Sequence, residues 1–199
     1  MTTVALIDSG GANIASLEFA LARLGAASVF TRDPAVIESA SHVIVPGVGA
    51  AADAMSRLED YGLIETIRRL DQPVLGICLG MQLLCRHSEE DDVDCIGVFP
   101  EQASRLPASR EFPVPNMGWC AIHDRKDHAL LDGIPDGAWF YFVHSYALPP
   151  SVRAIACADH REPFAAIMAQ DNFFATQFHP ERSAEAGARL LANFLEMKP

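Results

Sequence analysis

Four short apolar runs in the first half of the chain, separated by segments of helical periodicity, restrict the fold more than any other feature. They are TVALID (residues 3–8), ASVF (27–30), HVIVP (42–46) and PVLGI (73–77). After the first, ANIASLEFALARLG places Ile14, Leu17, Leu21 and Leu24 on one helical stripe that ends at Gly25. Further helical patterns cover residues 51–58, 63–70 and 79–86. Strands that alternate with helices and are apolar on both faces predict a parallel sheet covered on both sides.

The second half changes character. WCAI, AWFYFVHSYAL, VRAIACA, PFAAIMA and FFATQF read as further strands between Pro, Gly and charged turns, and an amphipathic helix over residues 184–195 closes the chain. No internal repeat, low-complexity tract or linker interrupts the pattern. At 199 residues, half of them hydrophobic, the chain suffices for one domain with a full core. The expectation is a single α/β domain over residues 1–199: a central, mostly parallel mixed sheet flanked by helices, with additional antiparallel strands.

Charge narrows the function. The formal net charge is −11 and Lys and Arg are scattered, which argues against nucleic acid and against an anionic membrane surface. No apolar run reaches membrane-spanning length, and MTTVALIDSGG lacks the features of a signal peptide, so a cytoplasmic location is expected. The cysteines Cys78, Cys85, Cys95, Cys120 and Cys157 are odd in number and form no C-x-x-C pair, a poor basis for a disulfide framework or a zinc site.

One cysteine stands apart. GICLG (residues 76–80) lies where PVLGI meets the helical LGMQLLCR, and it matches the G-x-nucleophile-x-G elbow with Cys78 at the nucleophile position. A sharp turn with closely approaching neighbours requires glycine on both sides. A helix N-terminus favours thiolate over thiol, and the Leu79 amide would face the target and help hold an oxyanion. Taken alone, the motif is equally a buried cysteine at an ordinary strand–helix turn.

QFHPERS (residues 177–183) supplies the complement. If this segment is extended, His179 and Glu181 point the same way, giving a base for the thiol and an acceptor that fixes the base's tautomer. His-Pro-Glu alone is more often a turn with a satisfied histidine; the two patterns support each other. PGVGA (residues 46–50) follows a strand and precedes a helix without the Gly-Lys-Ser/Thr of a phosphate loop; its glycines let the backbone lie flat against a ligand, so beside Cys78 in a parallel sheet it is either a second oxyanion donor or a plain strand-to-helix turn.

Together these segments resemble, in order along nearly the whole chain, a class I (triad) glutamine amidotransferase, and most closely the glutaminase subunits of imidazole glycerol phosphate synthase from histidine biosynthesis. DSGGANIAS is similar to the opening D-Y-G-x-G-N-x-x-S, and PGVGAAADAM to the oxyanion-strand loop. GICLGMQLL resembles the elbow, VPNMGW the segment V-P-H-M-G-W-N, YFVHSY the substrate strand and QFHPERS the His-Glu end of the triad.

The resemblance implies that Cys78 attacks the side-chain amide of glutamine, that His179 shuttles protons and that Glu181 orients His179. It puts Val48, Gly49 and Leu79 at the oxyanion and Gly49, Gln82, Glu90, Ser145 and Tyr146 at the substrate. It implies no cofactor and no metal. The implied partner is a (β/α)₈-barrel synthase subunit in a heterodimer, contacted near Asn13, Trp119 and Tyr141. That partner would use the ammonia to turn a phosphoribulosyl-formimino-carboxamide ribonucleotide into imidazole glycerol phosphate and aminoimidazole carboxamide ribonucleotide. Alternatives are a subunit feeding another ammonia-using synthase, such as a sugar-modifying one, and a stand-alone Cys-His-Glu hydrolase. The chain departs from the pattern at Ser9, Ala12, Asn116 and Cys120.

Overall fold

In the computed structural model, described for residues 2–10 and 14–198, the alternation of the first half becomes a parallel sheet. The chain runs β1 (Thr3–Ile7), α1 (Ile14–Arg23), β2 (Ala27–Thr31), α2 (Pro34–Ser39), β3 (His42–Gly47), α3 (Ala51–Asp60), α4 (Leu63–Arg68), β4 (Val74–Cys78) and α5 (Leu79–Leu84). Short strands β5 (His87–Ser88), β6 (Val93–Asp94) and β7 (Gln102–Arg105) follow. Then come β8 (Asn116–His123), β9 (Trp139–His144), β10 (Tyr146–Ala147), β11 (Ala154–His160), β12 (Glu162–Gln170), β13 (Phe173–Thr176) and α6 (Ala184–Glu196).

Nine strands form one mixed sheet in the order β2-β1-β3-β4-β13-β12-β11-β8-β9. From β2 to β13 the pairings are parallel, and from β13 to β9 they are antiparallel. β4 lies between β3 and β13, and all three strands are buried along their length. Successive residues of β1 enter opposite cores, as the pleat requires. Ala5 and Ile7 join a cluster with Ile37, Leu58, Ile67 and Leu83 beneath α2–α5; Val4 and Leu6 join one with Leu21, Leu191 and Phe194 beneath α1 and α6.

Several expectations are corrected. β2 is an edge strand with Phe30 exposed, not a strand apolar on both faces. α2 was not anticipated, although its start carries a readable signal: Asp33 Oδ1 accepts from the Ala35 amide at 3.0 Å, with Pro34 at the first helical position. The helix expected over residues 79–86 stops at Leu84. Its last carbonyls are claimed from outside, by the amides of Ile96 on Leu83 and Phe99 on Leu84, both at 2.9 Å, and Cys85 turns extended. That exit leads to an unexpected four-stranded sheet, β10-β7-β5-β6. Among the described residues no helix is long and apolar enough to cross a membrane.

Candidate active site

The elbow forms because β4 and α5 meet without a loop. Cys78 ends the strand at φ 55° and ψ −108°, a conformation that costs a non-glycine residue about 1–3 kcal/mol. Tight packing on both sides holds it there. A Cβ on Gly80 would lie 1.7 Å from the Val45 carbonyl oxygen, and one on Gly76 would lie 2.8 Å from the Gly80 carbonyl oxygen. Both glycines of GICLG are therefore required by close backbone approach. All six residues of α5 are buried, so the short helix is gripped by the core and cannot relax the turn.

His179 and Glu181 come together by a different route from the one expected. β13 ends at Thr176, and His179 precedes a single 3₁₀ turn, Pro180–Arg182. The two residues do not alternate along an extended strand. Pro180 opens the turn, which folds Glu181 back so that its Oε1 lies 2.9 Å from His179 Nδ1. The histidine and carboxylate side chains are 8% and 7% exposed. Ser183, which the sequence reading did not single out, clamps the turn. Its Oγ donates to the His179 carbonyl at 2.6 Å and accepts from the Tyr141 amide at 3.0 Å, while the His179 amide donates to the Tyr141 carbonyl. Helix α6 packs onto the turn so closely that a Cβ on Gly187 would lie 2.0 Å from the Pro180 carbonyl oxygen.

Cys78 and His179 line one open cleft of about 320 Å³. Burial alone would lower the His179 pKa, but the neighbouring Cys78 sulfur and the Glu181 carboxylate more than offset it and hold the value up to about 10. The Cys78 sulfur and the Glu181 carboxylate thus favour the imidazolium. His179 Nε2 is buried and without a hydrogen-bond partner among the described residues, leaving its proton available to the cleft.

The expected oxyanion and substrate residues Val48, Gly49, Leu79, Gln82, Glu90, Ser145 and Tyr146 line the same cleft. Gly49 sits at φ +104°, which favours glycine. The Ser9 hydroxyl donates to the Pro46 carbonyl at 2.9 Å, anchoring the start of the PGVG loop to the end of β1. Two residues have duties beyond those foreseen. Glu90 Oε2 accepts from the Ala51 amide at 3.0 Å and so caps α3, whose own N-cap, Ala50, has no side chain to do it. Burial raises the Glu90 pKa, partly countered by that hydrogen bond. Gln82 spends its amide hydrogens inside the protein, on the Tyr146 carbonyl at 3.0 Å and Gln177 Oε1 at 3.1 Å.

The unusual residues Asn116 and Cys120 satisfy each other. Asn116 Oδ1 accepts from the Cys120 thiol at 3.8 Å, and its Nδ2 donates to His144 Nε2 at 3.1 Å. His144 Nδ1 donates in turn to the Tyr146 carbonyl at 2.9 Å. Burial pushes the His144 pKa down to about 4, consistent with a neutral ring that accepts on one nitrogen and donates from the other. Trp119 is 46% exposed and meets Tyr141 edge-on, with ring centroids 6.1 Å apart. Arg182 stacks over the other partner of that pair, 4.6 Å from the Tyr141 ring centroid. Asn13 and Ala12 lie outside the described residues.

The chain is similar to known proteins over nearly its whole length. The family model for Glutamine amidotransferase class-I matches residues 5–197. The imidazole glycerol phosphate synthase subunit HisH of Xylella fastidiosa (strain Temecula1) is 52% identical over 197 residues, covering 99% of this chain and 98% of that relative. The same subunit from Xanthomonas axonopodis pv. citri is 50% identical with equal coverage. Among solved structures, a glutamine amidotransferase matches with a TM-score of 0.76 at 19% identity, covering 97% of both chains. The glutaminase domain of Trypanosoma brucei CTPS matches with a TM-score of 0.67 at 12% identity, covering 100% of this chain and 96% of that one. The last two share the fold; the family match and the half-identical relatives go further, and by them this chain belongs to the class I glutamine amidotransferases.

Proposed function

We propose that the chain is the glutaminase subunit of an imidazole glycerol phosphate synthase and that Cys78, His179 and Glu181 carry its chemistry. The observation that supports this most is the shared cleft, where a thiol on a strained elbow meets a histidine already paired with a buried carboxylate. The thiolate of Cys78 attacks the carboxamide carbon of glutamine. Backbone amides around Val48, Gly49 and Leu79 hold the oxyanion. The His179 imidazolium gives its proton to the departing nitrogen, so ammonia leaves and a thioester remains. Neutral His179 then takes a proton from water as the water attacks the thioester; glutamate departs, and thiolate and imidazolium are restored.

A glutamine substrate carries an ammonium and a carboxylate as well as the reacting amide. Glu90 is the group of suitable charge for the ammonium, and Gln82, Ser145 and Tyr146 supply the polar wall for the rest. Behind His179 a smaller cavity of about 100 Å³ is lined by Leu17, Ile77, Val143, Glu181 and Arg182. It gives ammonia a partly apolar way out toward the side where Arg182, Tyr141 and Trp119 stack. We place the (β/α)₈-barrel partner on that side and the nucleotide chemistry in the barrel. The triad needs no metal, and the reaction occurs in the cytoplasm.

The test is ammonia release from glutamine by the purified chain, alone and with the synthase subunit from the same source and its ribonucleotide ligand. The expected result is slow release alone and strong stimulation in the complex with its ligand bound. Rapid ester hydrolysis by the isolated chain, with no response to the partner, would instead identify a stand-alone hydrolase.

A further inference from the structure

We infer that Gln177 is a positioning residue for the nucleophile: its side-chain amide donates to Cys78 Sγ and supports the thiolate once it forms. Gln177 lies just past the end of β13, is fully buried and places Nε2 3.8 Å from Sγ. The inference rests on the proposed role of Cys78.

The direction of the amide is fixed by its neighbours. A backbone carbonyl can only accept, so the bond from Gln82 to the Tyr146 carbonyl requires Gln82 to present its NH₂ there. The second hydrogen of that NH₂ then meets Gln177 Oε1 at 3.1 Å. With its oxygen committed to Gln82, Gln177 must turn its own NH₂ toward the sulfur. The Tyr146 carbonyl is in turn held by His144 Nδ1, so the orientation is set by a chain of buried bonds from β9 to β13.

The sulfur's other contact explains why such a donor matters. A neutral thiol can donate to the Val143 carbonyl, 3.7 Å away. A thiolate cannot, and that carbonyl then presents its negative end to a negative sulfur. Two groups offset this: the His179 imidazolium through its charge, and the Gln177 amide through a hydrogen bond that strengthens once the acceptor is charged. The other titratable groups facing the cleft are His144 and Tyr146 from the β9–β10 segment and Glu90 opposite. Glu181 acts through His179.

The test is the rate of Cys78 carbamidomethylation by iodoacetamide in the full chain between pH 5 and 10, with each cysteine quantified by peptide mass spectrometry. Gln177→Met and Gln177→Leu each remove the donor without placing a charge beside the sulfur. In folded variants, judged by an unchanged melting profile, the Cys78 rate at pH 7 is expected to fall about tenfold, with the pH inflexion raised by about one unit. A rate reduced equally at every pH, with the inflexion unmoved, would show a purely structural glutamine and overturn the inference. The wild-type protein gives a reading independent of either variant. The Gln177 side-chain amide proton should shift in NMR spectra as Cys78 ionises, and a flat titration would contradict the inference. If wild-type Cys78 reacts no faster than Cys85, Cys95, Cys120 and Cys157, the nucleophile assignment fails with it; a fast Cys78 with an unmoved variant profile removes Gln177 alone.

Discussion

Changing Cys78 to Ser is expected to lower glutamine-dependent ammonia release by about a thousandfold or more, while the synthase complex continues to use added ammonium at its original rate. The size follows from the chemistry: a hydroxyl at this position does not ionise near neutral pH, and the surroundings are arranged for a large, polarisable sulfur that does. The selectivity follows from the structure. Cys78 is held by Gly76 and Gly80 against Val45, and replacing sulfur with oxygen adds no atom to that contact, so the fold and the docking face stay intact. Steady-state assays of the assembled complex with glutamine and with ammonium as alternative nitrogen sources make the comparison. Equal loss with both sources would mean that the cysteine supports the assembly rather than the amide cleavage.

The second large effect is expected at Glu181. Glu181→Ala removes the acceptor 2.9 Å from His179 Nδ1, leaving the imidazole free to rotate or take the wrong tautomer, and should cost about 10²–10⁴-fold in turnover. Glu181→Gln keeps an oxygen in place and removes only the charge, so a smaller loss is expected. The charge change also reaches stability. In the folded protein the His179 pKa is held up to about 10, above the ordinary 6.5, against burial and because of Cys78 and Glu181. A raised histidine stabilises the fold fully below pH 6.5 and loses that contribution as the pH climbs toward 10. Without the Glu181 charge the folded pKa drops, so the decline in stability between pH 7 and 10 should be shallower in Glu181→Gln. Denaturant melts across that range read the slope, and an unchanged slope would show that the carboxylate does not support the imidazolium.

Much of this site is legible in the order of residues because each key group sits where an element ends. GICLG announces a strand-to-helix turn with close backbone contacts, and the distances at Gly76 and Gly80 give the reason. His-Pro-Glu announces a base and an acceptor, but its geometry comes from a 3₁₀ turn after Pro180 and not from strand alternation. A strand reading and a turn reading can place the same two side chains together, and only the hydrogen bonds through Ser183 distinguish them. What stayed hidden depends on long-range partners. The end of α5 is set by amides more than ten residues away, the cap of α3 is supplied by Glu90, and the orientation of Gln177 is decided through Gln82 and Tyr146. None of these leaves a local periodicity. Asn116 and Cys120 are departures from a pattern when read singly, yet as a bonded pair they keep the buried His144 satisfied.

The most direct measurement of the central claim is to incubate the full chain with a glutamine-analogue electrophile such as 6-diazo-5-oxo-L-norleucine and map the adduct by mass spectrometry. A single adduct on Cys78, lost when excess glutamine competes or when His179 is changed to Asn, is the predicted result. An adduct on Cys85, Cys95, Cys120 or Cys157 with Cys78 untouched would contradict it.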